Sequence, residues 1–140
     1  TPTSLYYLSN REGTVRPVEP GLHGLSNDHL DTPWPKVRRA KHGLQAQIEE
    51  ETITPENVLD LLDDRRPAPD DQLPDTGFGR ERERMLSPIF INGEQYGTRA
   101  STVLLIDREG TVTFVERTYN AGVAHETRQF SFEIPAPSSA

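Results

Sequence analysis

Between Gly21 and Lys36 the chain reads G-L-H-G-L-S-N-D-H-L-D-T-P-W-P-K, and no regular element can run uninterrupted through it. Gly21 and Gly24 let the backbone turn sharply around His23, while Pro33 and Pro35 remove backbone donors near its end. Leu22 and Leu25 are placed to anchor that bend in a core. A helix is expected to start here, with Asp31 or Thr32 as its cap, because a short side-chain oxygen accepts from the free N–H groups of a first turn. Ser26, Asn27 and Asp28 then lie just upstream of the positive helix end, where an anion or a polarised carbonyl can be held. The stretch also carries Trp34, the only tryptophan of the chain.

On residue chemistry alone, Asn27 suits a turn and a site amide equally, whereas His23 and His29 read more readily as surface or capping groups. Two histidines at this spacing do not form a helical zinc pair. With no cysteine and no H-E-x-x-H string, no metal site is expected.

A chain of 140 residues makes one domain at most. Only 33% of its residues are apolar, which allows a core but a thin one. A net charge of −7 and 12 prolines argue against a nucleic-acid partner, since neutralising phosphates takes an excess of Lys and Arg. No apolar run is long enough to span a bilayer. Zero cysteines exclude disulfides without identifying a compartment. The sequence opens on Thr1 rather than Met, so location is not legible from its start.

Strand signals gather at both ends. Leu5 to Ser9 is aromatic and aliphatic, Asn10 to Gly13 turns it, and Thr14 to Val18 returns as an edge strand or irregular extended chain around Pro17. Trp34, Val37, Ala40, Leu44 and Ile48 recur at helical spacing, with Lys36, Arg38, Arg39 and Lys41 off that face. Such a basic cluster can receive an anion, although charged runs on helices are usually only solvated. Thr54-Pro55-Glu56 starts a second helix, which should stop at Asp63 and Asp64, whose charges oppose its negative end. Arg65 to Asp75 reads as loop, and R-E-R-E-R from Arg80 as a short exposed helix or an extended lid. Pro88 to Ile91 is apolar and runs into an Asn92-Gly93 turn signal. Thr102 to Asp107, Thr111 to Tyr119 and Gln129 to Ile134 read as strands, and the final P-A-P-S-S-A as a loose tail. The order β-β-α-α-β-β-β gives an α+β class, helices covering one face of an antiparallel sheet and leaving the second face bare.

Several strings now stand in sequence: Y-Y-L-S-N-R at Tyr6 to Arg11, P-G-L-H-G-L-S-N-D-H-L-D-T-P-W-P-K-V at Pro20 to Val37, L-P-D-T-G at Leu73 to Gly77, L-S-P-I-F-I at Leu86 to Ile91, and Y-G-T-R-A-S-T-V-L-L-I-D at Tyr96 to Asp107. Over nearly the whole chain they closely resemble the Transport and Golgi organisation 2 family, also called the NRDE family. The cysteine and the Asn-Arg-Asp-Glu string that mark that family's N terminus are absent here. The resemblance therefore implies that residues 1–134 are the C-terminal part of a single NRDE-family domain. Its fold would be N-terminal-nucleophile (Ntn) hydrolase-like, a four-layer α-β-β-α sandwich, whose missing N-terminal part would pack on the bare sheet face.

By the same resemblance Asn27 in L-S-N and Arg99 in Y-G-T-R look like supporting residues of an Ntn-type site, with Asn10 a weaker second amide; without it, Arg99 reads as a strand-edge ion pair and Asn10 as a turn residue. In the related acylases an N-terminal Cys acts as nucleophile and its own amine as base; this chain has no such nucleophile, and Thr1 falls mid-domain in the match. Family members are implicated in haem trafficking and lipid homeostasis. The resemblance thus implies a small-molecule ligand, haem among the possibilities, with His23, His29 and the Lys36 to Lys41 cluster, Arg38 included, as the groups available to hold it. A cytoplasmic location and an amide or thioester hydrolase activity are the remaining expectations.

Overall fold

The computed structural model describes residues 4–135; Thr1 and the tail beyond Pro135, expected to be loose, lie outside the described residues. Leu5–Leu8 (β1) and Val15–Val18 (β2) pair antiparallel, Leu5 opposite Val18 and Leu8 opposite Val15. Pro17 is tolerated because a two-stranded ribbon has no inner strand to lose a donor. Tyr7 is the buried residue of this ribbon, and the Arg16 guanidinium lies 4.9 Å from its ring centroid.

Helix α1 spans Pro35–Glu49 and helix α2 Pro55–Leu62. α1 begins without a side-chain cap, Trp34 taking the cap position in extended conformation. That corrects the expected cap at Asp31 or Thr32. Asp31 adopts a left-handed backbone (φ 65°), and its carboxylate takes the Gly24 N–H and the Lys41 ammonium instead of the free N–H groups of the first turn. α2 follows the sequence closely: the Thr54 hydroxyl accepts from Asn57 N at 3.1 Å, and the helix ends at Leu62 before the two aspartates. The two helices meet at Gly43, where even a Cβ would run into the Leu61 side chain. The expected apolar stripe of α1 fades toward its end, for Val37 is buried but Ile48 is exposed.

The segment read as loop after α2 contains a 3₁₀ turn at Asp70–Gln72, and the charged run folds as helix α3, Arg80–Leu86. The apolar run from Pro88 bends through Phe90. Phe90 is completely buried, edge-on to Tyr119 with centroids 4.7 Å apart. The turn signal beyond it closes a single bridge, Asn92 with Gly97.

Strands β3 (Ala100–Ile106), β4 (Thr111–Asn120) and β5 (Val123–Glu133) form one antiparallel sheet in the order β3-β4-β5. β5 begins six residues earlier than Gln129, where the sequence signal starts. On one face Val103 and Val115 close on the fully buried Leu59 of α2, with Val58, Leu62 and Leu105 around them. On the other face Leu104, Phe114 and Phe130 stand in register, as do Ile106, Val112 and Phe132. Phe130 and Phe132 remain 57% and 56% exposed. The described residues thus form a mixed α+β fold of three α-helices and two small antiparallel sheets, with one sheet face bare.

Candidate functional site

Asp31 closes the Gly21–Lys36 stretch into a rigid loop. Its carboxylate accepts from Gly24 N at 3.0 Å, from Lys41 Nζ at 2.8 Å and from His23 Nδ1 at 2.6 Å, while His23 Nε2 donates to the Glu19 carbonyl at 2.8 Å. Both partners of the imidazole are acceptors, so both are satisfied only when both ring nitrogens carry protons, which favours the charged form. The bond to Asp31, followed by that to Glu19, accordingly raises the His23 pKa above its ordinary value of 6.5. Lys41 and then His23 hold the Asp31 carboxyl far below the usual carboxylate range.

A second set of contacts clips this loop to the β1–β2 turn. His29 Nδ1 lies 2.9 Å from Glu12 Oε1, and Arg11 donates to Asp28 Oδ1 at 3.2 Å. The His29 bond is the largest cause of a lowered Glu12 pKa, with Arg16 adding to it.

Between the start of α1 and the segment from Pro74 to Ser87 lies a cleft of about 600 Å³. Trp34, Pro35, Pro74, Phe78 and Leu86 form its apolar walls, and Arg11, Asn27, Asp28, Lys36, Thr76, Glu83 and Ser87 its polar points. Lys36 is half-buried: Nζ donates to the Leu86 carbonyl at 2.8 Å and lies 6.0 Å from the Trp34 ring centroid. Burial lowers its pKa, an effect partly opposed by the Glu83 charge. An ammonium has three donors, and the Leu86 carbonyl takes one. Glu83 is 95% buried by comparison with an open side chain, its relative exposure being 5%, and it accepts from both the backbone N–H and the hydroxyl of Thr76.

Asn10 and Asn27 share the lining of an adjoining hollow of about 440 Å³, and Asn27 faces the cleft as well. Arg99 is exposed immediately before β3, outside both linings, and its carbonyl accepts from Tyr119 N at 2.8 Å. His23, His29 and Arg38 are not wall residues of the cleft; Arg38 reaches Gln72 Oε1 at 3.3 Å. The basic face of α1 is tied up within the chain, since Arg39 pairs with Asp64 at 3.2 Å and Lys41 with Asp31. Among the described residues, no cluster of His, Cys, Asp or Glu is arranged to hold a metal. Nor is any helix long and apolar enough to cross a membrane.

Sequence reasoning missed Thr76, Phe78 and Glu83. A buried glutamate inside R-E-R-E-R carries no mark in the sequence, because its burial goes with a fold-back of the preceding segment, whose Thr76 bonds to it.

The family profile described as Transport and Golgi organisation 2 matches residues 1–121. The human Transport and Golgi organization protein 2 homolog is 34% identical over 140 aligned residues, which take in 92% of this chain and 50% of the human protein. The mouse homolog is 34% identical over 79% of this chain and 44% of its own length. The Drosophila melanogaster protein is 28% identical over 84% of this chain and 44% of its own length. The chain spans about half the length of these relatives. Matched over most of its residues by the profile and by the human protein alike, it belongs to the Transport and Golgi organisation 2 family.

Proposed function

We propose that the cleft between Trp34 and Phe78 binds a hydrophobic small molecule carrying an acidic group, with haem one candidate. The observation that carries this reading is Lys36: a half-buried ammonium with spare donors, set beside the Trp34 ring in a cleft that Pro35, Phe78 and Leu86 also wall. Aromatic faces take up a flat or greasy body, while a desolvated cation rewards an acid at one end.

In this reading His23 and His29, both outside the cleft wall, brace the neighbouring loop rather than ligate iron. Ligation through either nitrogen of His23 would cost the proton there and the hydrogen bond it makes. The test is a titration of the 140-residue chain with haemin, followed at the Soret band. A saturable shift is expected, at the same band position in His23→Ala; no shift in the wild-type chain, or a band position that this substitution moves, overturns the assignment.

A second reading, an Ntn-type amide or thioester hydrolase with the four-layer sandwich completed by chain from outside these residues, is favoured by the two amides of Asn10 and Asn27 on one hollow. It requires a nucleophile that this sequence lacks, there being no cysteine. The chain alone should leave amide and thioester substrates intact, gaining turnover only when complemented by a Cys-bearing N-terminal segment of a full-length relative. Turnover by the chain alone contradicts the Cys route.

A further inference from the structure

Phe78 belongs to two cavities at once. It lines the 600 Å³ cleft on one side and, on the other, a neighbouring hollow of about 750 Å³ walled by Arg80, Arg82, Met85 and Tyr96. The strap that carries it is pinned at both ends to one residue. Thr76 is bonded to the Glu83 carboxylate, and the Gly79 carbonyl accepts from Glu83 N at 3.0 Å. Between those pins lie Gly77 and Phe78, with Gly77 N–H making one long bond of 3.3 Å to Asp75.

Gly77 and Gly79 hold φ of 86° and 82°, and a Cβ on either would meet nothing within 4 Å. The backbone on each side of Phe78 is therefore unencumbered, in a region glycine enters at no steric cost. The Phe78 ring is 58% exposed and carries the Arg82 guanidinium at 4.9 Å. A large apolar ring standing in solvent on a glycine hinge is poorly explained by core packing. It is well explained as a wall.

We infer that Phe78 is a specificity-determining partition: it ends the cleft, limits the length of the ligand held there, and separates that ligand from the neighbouring hollow. The inference rests on the binding reading above and adds to it the residue that sets ligand length. A ligand whose tail outgrows the cleft must either be refused or displace Phe78 into the open side of its hinge.

Two probes of one chemistry and different reach test this, 1-pyrenebutyric acid and 1-pyrenedodecanoic acid, each read by energy transfer from Trp34 in the 140-residue chain. The wild-type chain should prefer the short probe. Phe78→Ala should raise the ratio of long-probe to short-probe affinity by roughly tenfold, as a few more methylenes find cover, and Phe78→Leu should fall between. Since Phe78 is largely exposed, both variants should keep the wild-type melting temperature, measured alongside. An unchanged ratio in Phe78→Ala, with the short probe still binding, overturns the partition and leaves the cleft reading standing. Failure of the short probe to bind the wild-type chain takes down both.

Discussion

At the scale of single residues, the histidines illustrate how a side chain that looks like a ligand becomes a brace. His23 sits between a carboxylate and a carbonyl, which favours the imidazolium form and ties the Gly21–Lys36 loop together. The linkage has a definite sign. A raised folded pKa means that this contribution is fully present below 6.5 and is lost as pH rises through the higher folded value. Asp31, depressed from 3.8, works the other way, and its contribution is lost as pH falls below its ordinary range. The loop should therefore be best ordered from mildly acidic pH up to 6.5, the His23 contribution fading as pH rises through its higher folded value. An NMR titration of the His23 ring is expected to give a midpoint above 6.5 that returns toward 6.5 in Asp31→Asn; a wild-type midpoint at or below 6.5 contradicts the brace. The sequence showed both residues and their special setting, but not their pairing, because the contact depends on the left-handed turn at Asp31.

Among the elements, those whose ends are written in local chemistry were legible. Thr54-Pro55 opens α2 and the aspartates at 63 and 64 close it, as their hydrogen-bonding and charge require. β5 was half legible. Its two phenylalanines lie late in the strand, while Val123 to Arg128 pairs with β4 through backbone and through polar side chains such as Arg117 and Thr127, and shows no alternation of burial. The hairpin that starts it uses Ala121 and Gly122, both at positive φ, and Ala is an unusual residue for the first of those positions. The sheet is held to the helices chiefly through Leu59, which is completely buried between Val103 and Val115. Leu59→Ala should cost about 2–5 kcal/mol, enough to lower the thermal midpoint by several degrees or more. A melt within a degree of wild type would mean that α2 is not the lid of this sheet.

For the molecule as a whole, the bare sheet face is the dominant feature. Leu104, Phe130 and Phe132 expose apolar surface in one contiguous region, of a kind that isolated domains seldom leave uncovered. Phe130→Ser with Phe132→Ser should reduce binding of a hydrophobic dye and raise the soluble monomer fraction while changing the thermal midpoint little, since both rings stand in solvent already. A large loss of stability would show instead that this face is packed. The bare face was foreseen from the count of strands against helices, whereas the cleft was not. Its walls come from stretches near residues 34 and 78, and their meeting depends on how α3 and the strap fold back on α1.

Trp34, the single tryptophan, stands in the wall of that cleft beside Lys36. The most direct measurement is therefore quenching of its emission by haemin in the wild-type chain and in Lys36→Met. Binding in the cleft predicts saturable quenching whose midpoint moves roughly ten- to hundredfold higher when the charged hydrogen bond is removed. Quenching that never saturates, or that Lys36→Met leaves untouched, would contradict it.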